Sequence, residues 1–410
     1  MSLNRRDFFK LSASASALLA LQPSLSFAEG VSIGNRDVII SIFLRGGIDG
    51  LTAMPPLGDP RYAALRPNLA LRAPGSASGT AAIDLNGFFG LHPSAAPLKT
   101  LYSAGRLAAV CATGVPSENR SHFDMQDFME RAYFDKTGVF TGWLNRHLEL
   151  TQSANTSPFR ALAVGNAVQR TLRGAVPTIG LSAISRFGVQ TQAAEGDFID
   201  RALLDLFNQS AEVDRQTRTA FTAIEQLEKS GAAALPVENG ALYPTTTFGV
   251  GLKELAQLIK IGIGVESACI DLGGWDHHDN QLPRIAPLLD ELAKSLLAFD
   301  TDMGARMANV SVVVMSEFGR RARENGSAGT DHGHGNVVFA LGGGVNGGQV
   351  FGSWPTLNES ALDQGDLAIT TDYRAVLADL LIKRGGNTQI AATLPGFSLG
   401  ASLGLFKPRA

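Results

Sequence analysis

The sequence predicts an α/β fold in which a mostly parallel sheet is flanked by helices. Two observations carry this. Six short runs, at 38–44, 107–112, 159–164, 267–272, 310–315 and 337–341, are apolar on consecutive positions, the pattern of strands covered on both faces. Between several of them lie segments with helical periodicity, and strands that alternate with helices favour parallel pairing.

Taken along the chain, the helical segments are 97–104, 121–132, 143–150, 198–208, 213–229, 252–261, 284–307 and 372–384. The stretch 55–80 is rich in Pro, Gly and Ser and reads as a loop. From 165 to 251 the alternation lapses into polar loops and two amphipathic helices, which predicts a helical insertion on the sheet. Thr371 before Asp372 is expected to cap the last helix, and Gly385-Gly386 supplies the left-handed turn that ends it. No internal repeat occurs.

The first residues, Asn4-Arg5-Arg6-Asp7-Phe8-Phe9-Lys10, precede a mild apolar run at 11–21 and a small-residue cut site at Ser26-Phe27-Ala28. That order is the order of a twin-arginine export signal. It predicts a signal peptide at 1–28, the twin-arginine translocation machinery as partner, and a periplasmic or otherwise exported single domain at 29–410. The apolar run is Ala- and Ser-rich and broken by Pro23, short of the roughly 20 apolar residues that a span needs, so no transmembrane span is expected in the mature chain. Hydrophobic residues make up 45% of the chain, enough for a sizeable core. The formal net charge is −3 with dispersed basic residues, which argues against nucleic acid as a partner. The two cysteines, Cys111 and Cys269, each lie in a short apolar run and read as small core residues, with a disulfide as the alternative.

Four of the seven histidines fall in two short polar clusters, Trp275-Asp276-His277-His278-Asp279 and Thr330-Asp331-His332-Gly333-His334-Gly335. Carboxylate oxygen and neutral imidazole nitrogen are ligands for Zn²⁺, Mn²⁺ and related ions, so the pair of clusters predicts a divalent metal site of one or two ions. A weaker cluster is Ser121-His122-Phe123-Asp124. Asp49 follows the first strand, Asp276 the fourth, and Glu317 the fifth, with Asp331 and His332 on the loop after that. Sites in open α/β sheets form beyond the carboxyl ends of strands. The plainer account is that glycines here make tight turns and that the Asp and His side chains are solvated or bond locally. Glu317 with Arg320 reads equally as a structural ion pair. His92 and His147 lack carboxylate clusters and read as structural.

The segments Phe43-Leu-Arg-Gly-Gly-Ile-Asp-Gly50, Arg120-Ser-His-Phe-Asp124, Gly273-Gly-Trp-Asp276, Met315-Ser-Glu-Phe-Gly-Arg320 and Thr330-Asp-His-Gly-His-Gly335 together resemble the bacterial domain-of-unknown-function 1501 family. That family is similar to the alkaline phosphatase and sulfatase superfamily, whose members hold one or two metal ions above an α/β sheet and hydrolyse phosphate or sulfate esters. The resemblance implies that Asp49 and the Asp331-His332 pair bind one ion. Asp276 with His277 or His278 binds another, and His334 completes that second set. It implies Ser121 as nucleophile, with Arg45, His122, Asp124, Glu317 and Arg320 touching substrate or supporting the ligands. The superfamily's histidine four residues after its aspartate is missing, since position 280 is Asn.

Three functions compete on this reading. The first is a metal-dependent hydrolase of a small anionic ester. The second is a non-catalytic exported envelope protein that keeps the fold and one structural metal. The third, a Ser-His-Asp hydrolase, is disfavoured because no Gly-x-Ser-x-Gly elbow occurs.

Overall fold

The computed structural model describes residues 36–77, 80–151, 153–187 and 211–409. The export signal and the expected helix at 198–208 lie outside them. The strands are β1 (Val38–Arg45), β2 (Ile83–Asp84), β3 (Gly90–Leu91), β4 (Leu107–Gly114), β5 (Ala161–Val164), β6 (Ile179–Leu181), β7 (Ser267–Gly273), β8 (Val310–Met315), β9 (Asn336–Gly342), β10 (Val350–Phe351) and β11 (Thr371–Asp372). The helices are α1 (Gly50–Ala53), α2 (Tyr62–Leu65), α3 (Ala96–Ser103), α4 (His122–Arg131), α5 (Trp143–Leu150), α6 (Ala211–Ser230), α7 (Thr247–Lys260), α8 (Gln281–Met303), α9 (Tyr373–Lys383) and α10 (Ile390–Thr393).

Among the described residues nine strands form one sheet, in the order β10-β4-β9-β8-β1-β7-β5-β6 with β11 alongside β4. All its pairs are parallel except those of β9, which runs against both β4 and β8. The expected mostly parallel α/β sheet is therefore present. Reversal of β9 fits its connection to β8, which contains no helix to carry the chain back across the sheet.

The continuous apolar runs are explained by burial on both faces. On β1, Val38, Ile40, Ile42 and Leu44 pack with α3, α7 and α8, including Leu98, Leu255, Leu289 and Phe299. Ile39 and Phe43 point the other way, toward Met125, Trp143, Tyr373 and Leu377 of α4, α5 and α9. Side chains alternate across a strand, so one apolar run fills two cores. Cys111 on β4 and Cys269 on β7 are free and buried. With β9, β8 and β1 between their strands, they stand about 19 Å apart at ordinary strand spacing, so both are core residues and the disulfide alternative falls.

Several element ends differ from expectation for local reasons. α8 begins at Gln281 rather than 284 because Pro283 sits in the first turn, where a missing N–H costs nothing. α7 begins at Thr247 rather than 252, capped by the Thr246 hydroxyl accepting from the Gly249 N–H at 3.1 Å. Its Gly251 packs closely on the sheet, a Cβ there lying 2.9 Å from Ile270 Cδ1 and 3.0 Å from Val164 Cγ1. Asp372, not Thr371, caps α9, accepting from the Arg374 N–H. Residues 159–160 belong to a 3-10 turn, Pro158–Arg160, ahead of β5. The 165–251 segment also contributes an edge strand, β6, beside β5. Among the described residues no helix is long and apolar enough to cross a membrane.

His147 lies in α5, buried, with the Asn387 amide donating to its Nδ1 at 3.1 Å. Burial, then the charges of Arg36 and Arg160, push its pKa down to about 3 from 6.5. Below pH 6.5 the unfolded chain therefore binds a proton that the folded chain refuses. This group leaves stability intact above pH 6.5 and erodes it as the pH falls toward about 3, by roughly 1.4 kcal/mol per unit. Denaturant unfolding of wild type and His147→Gln across that range should show the steeper acid loss in wild type.

Candidate metal centre

The parallel course of β1, β4, β7 and β8 brings the connections that follow them to one edge of the sheet, and the reversed β9 starts at that same edge. Three of these connections supply the polar cluster, the one between β8 and β9 from both its ends. His122 opens α4 after β4, Asp276 and His278 follow β7, Glu317 and Arg320 follow β8, and Asp331 and His332 precede β9.

Three imidazoles converge on the Asp276 carboxylate. His278 Nε2 lies 3.0 Å and His332 Nε2 3.3 Å from Oδ1, and His122 Nε2 lies 3.4 Å from Oδ2. His278 Nε2 and His332 Nε2 are 3.1 Å apart. Donors arranged tetrahedrally at about 2.0–2.1 Å from an ion stand roughly 3.4 Å from one another, close to the Asp276 contacts of the three rings and to the His278–His332 separation. Among the described residues, His122, Asp276 and His332 form the one group of three or more such side chains whose ligand atoms all lie within 4.8 Å of one another.

Each imidazole is fixed through its other nitrogen. His122 Nδ1 donates to Glu317 Oε1 at 2.7 Å, His278 Nδ1 to Asp331 Oδ1 at 2.9 Å, and His332 Nδ1 to the Arg120 carbonyl at 2.9 Å. An acceptor on Nδ1 places the proton there and leaves a lone pair on Nε2 when the ring is neutral. Metal-ligating histidines are held this way. His122 Nε2 is also buried and has no hydrogen-bond partner, the mark of a group built for something other than its neighbours in the chain.

The charges are tuned to match. Burial alone would raise the Asp276 carboxyl, but the hydrogen bond and charge of Arg320, with His122 and His278, draw it below its ordinary value. Burial would likewise raise Glu317, yet hydrogen bonds from His122, Gln126 and backbone N–H groups, Gly46 among them, draw it down. The Glu317 hydrogen bond raises His122 against burial, whereas burial, then Arg320 and His122, lower His332. The hydrogen bond from His278 holds Asp331 low.

Behind this cluster, Arg320 is 1% exposed and donates to Asp276 Oδ1 at 2.7 Å, the Gly47 carbonyl at 2.6 Å and the Thr330 carbonyl at 3.0 Å. Glu317 also accepts from the Gly46 N–H and from Gln126 Nε2, each at 2.8 Å. Arg45 stands further out. It bonds Asp271 at 2.7 Å, Gln126 and Glu130, so it reaches His122 only through Gln126 and Glu317.

The structure separates the other expected site residues from this cluster. Asp49, expected as a ligand, caps α1 and pairs with buried Arg66. His277 is buried beside the cluster, with burial pushing its pKa down to about 4. It is His278 that reaches Asp276. His334 turns to Asp363, 2.7 Å from its Nδ1. Asp331 stands behind His278 rather than beside Asp276 in the ligand group. Asp124 bonds Asn119 and Lys136 in the first turn of α4. Ser121 is exposed and caps α4, its Oγ accepting from the Asp124 N–H at a long 3.5 Å. Conversely, His122 joins the ligand group although its sequence cluster was the weaker one. Gln126 and the Arg120 carbonyl had no sequence signal at all.

A family model described as "Protein of unknown function (DUF1501)" matches residues 36–383, and the chain belongs to that family. No curated protein matches it. Its fold is similar to that of the C-terminal periplasmic domain of EcEptC from Escherichia coli, solved in complex with Zn, at 8% identity and a TM-score of 0.34 over 76% of this chain and 74% of that one. It is similar to the alkaline phosphatase of the Antarctic bacterium TAB5, at 10% identity and a TM-score of 0.31 over 75% and 91%. It is similar also to the PsFucS1 sulfatase from Pseudoalteromonas sp., at 12% and 0.34 over 77% and 64%. These likenesses concern the fold alone.

Gly46 tests the geometry directly. Its φ is +118°, and a Cβ there would lie 2.8 Å from the Asp276 backbone nitrogen. Gly46→Ala should cost about 1–3 kcal/mol, read as a lower denaturation midpoint, while Gly75→Ala, also at positive φ but with open space around its Cβ, should cost less.

Proposed function

We propose that this member of the DUF1501 family is an exported protein in which His122, Asp276, His278 and His332 hold a divalent cation, and that it hydrolyses small phosphate or sulfate esters. The observation that carries the reading is the convergence of three Nε2 lone pairs, each ring fixed through Nδ1, on one carboxylate at 3.0 to 3.4 Å. Three imidazole nitrogens and one carboxylate oxygen suit zinc better than an all-oxygen ion, with manganese the alternative.

A bound divalent ion supplies Lewis-acid polarisation of an ester oxygen and charge stabilisation as the bond breaks. The chain's own part is to orient and exclude. Ser121, at the start of α4, lies where backbone N–H groups and the helix dipole favour an anion. Its Oγ, weakly engaged as a cap, is the candidate nucleophile. It would bond to phosphorus or sulfur as the bond to the ester's alcohol oxygen breaks, its hydroxyl proton passing to a neighbouring base or to water and the alcohol leaving protonated. Water then cleaves the seryl ester and frees phosphate or sulfate. Asp276 and His278 are the open side of the group, 46% and 44% exposed, so an ester approaches from there.

One observation favours the rival. Four protein donors close a tetrahedral shell, which is the habit of structural rather than catalytic zinc. A non-catalytic envelope protein with one structural ion fits that count. Hydrolysis requires a fifth position or displacement of the exposed His278.

His332→Ala should abolish ion binding, and Asp331→Asn should weaken it about 10- to 100-fold by releasing His278, whereas His147→Ala should leave metal content unchanged. Elemental analysis of the purified variants decides this, and unchanged content in all three removes the site.

A panel of phosphate and sulfate esters assayed with wild type and Ser121→Ala separates catalyst from structural protein. Turnover by wild type that vanishes in Ser121→Ala with metal retained supports the nucleophile. Full activity in the variant, with only about 1 kcal/mol of lost stability, reduces Ser121 to a cap. No turnover by wild type on any ester favours the rival. For export, replacing Arg5 and Arg6 with Lys should hold the precursor in the cytoplasm, and normal periplasmic accumulation of that variant would overturn twin-arginine export.

A further inference from the structure

The Asp49 carboxylate, which the family resemblance assigns to a metal, is already occupied by a cation belonging to the chain. Arg66 is fully buried and its NH1 meets Asp49 Oδ2 at 2.5 Å. The same oxygen accepts from Thr52 Oγ1 at 2.7 Å and Gln281 Nε2 at 2.5 Å, while Oδ1 accepts from the Leu51 N–H at 3.1 Å. An ion on Oδ2 would have to displace three donors and sit against a guanidinium charge. Arg66 is held in turn by the Ala322 carbonyl at 2.9 Å from Nε and the Arg321 carbonyl at 2.8 Å from NH2.

Charge balance points the same way. Around the histidine cluster stand the carboxylates of Asp276, Glu317 and Asp331 and one guanidinium, Arg320. Neutral imidazoles leave two uncompensated negative charges, which one divalent ion neutralises. Asp49 with Arg66 is neutral by itself. Two carboxylates stand near His334, Asp363 and Asp366, and two guanidiniums, Arg120 and Arg321, meet them at Asp366. A second divalent ion would find no uncompensated charge at either place, and buried charge without compensation is strongly disfavoured.

We infer that this chain is built for one divalent ion rather than two, and that the guanidinium of Arg66 permanently fills the place at Asp49 that a first metal would take. This rests on the reading that the histidine group holds an ion. The exchange has a structural consequence. Arg66 ties the segment after Arg320 to α1 through Arg321 and Ala322. Gln281 extends the tie, since its Nε2 meets Asp49 and its Oε1 accepts from Thr330 Oγ1 at 2.6 Å. Thr330 directly precedes Asp331 and His332. Asp49 thus acts as a positioning residue, bracing the loop that carries ligands without being one.

The test is ion counting on the full chain, stripped with a chelator and titrated with Zn²⁺ by calorimetry, with native mass spectrometry as a second count. Wild type should take one ion. Asp49→Asn, which keeps shape and most hydrogen bonds, should still take one, weakened by less than the roughly tenfold typical of a partner bonded directly to a ligand, but with a lower thermal midpoint. His332→Ala should take none while keeping its circular dichroism. Arg66→Lys, which keeps the charge but not the fork of donors, should also take one ion. Two ions per wild-type chain would overturn the inference while sparing the histidine site. Loss of the ion in a folded Asp49→Asn would also overturn it, by making Asp49 a ligand. No ion in wild type would sink the histidine site and this inference together.

Discussion

The buried guanidinium of Arg320 is the contact on which the cluster depends. From its place after β8 it donates to the carbonyls of Gly46 and Gly47 after β1, of Trp275 after β7 and of Thr330 before β9, and to the Asp276 side chain. Three connections, those after β1, after β7 and between β8 and β9, are therefore pinned to one planar group. A guanidinium presents five N–H donors in a fixed fork, whereas an ammonium offers three on a flexible stem. The carbonyls it satisfies sit in loops that leave the sheet ladder, where backbone acceptors would otherwise be buried without partners. Position and charge are thus set by the same residue, because the last of its contacts also draws the Asp276 carboxyl down.

Glycine at positions 46 and 47 is the counterpart of that contact. Gly46 has φ +118° and Gly47 +63°, and a Cβ on Gly47 would strike the Phe318 ring at 2.6 Å. The backbone must pass close to Trp275 and Asp276 on one side and Phe318 on the other for Arg320 to reach both carbonyls. Here the turn and the close approach require glycine for different reasons at adjacent positions.

The sheet was legible because burial on both faces leaves a direct imprint, runs that are apolar at nearly every position. β6, β10 and β11 left none, being two or three residues long and at or near the sheet's edge. The Asp and His residues that converge were legible as clusters, but the place of each within them was not. Adjacent His277 and His278 are equivalent in sequence, and only the backbone after β7 turns one inward and the other to Asp276. The partner that fixes His332 is a backbone carbonyl 212 positions away, which no residue type announces. Asp49 shows the same limit from the other side. A carboxylate after a strand looks the same whether it caps a helix or binds an ion, and the difference lies in Arg66, which is one basic residue among many until the chain folds.

Burial across the cluster is graded, and the gradient has a physical sense. Glu317 and Arg320 are 0% and 1% exposed, the side chains of His122 and His332 21% and 23%, and those of Asp276, His278 and Asp331 44% to 55%. The fixed charges that orient the rings are thus kept from water, where their hydrogen bonds gain strength from the lower dielectric. The outer carboxylates remain hydrated and escape the full penalty of burial. His122 and His332 are held from the sheet side by Glu317 and by backbone, so they cannot turn without breaking buried contacts. The Nδ1 of His278 is held by Asp331, whose side chain is 55% exposed, and that bond competes with water. The cluster therefore combines three donors of fixed direction with a fourth that yields more easily, and the side on which it yields faces solvent.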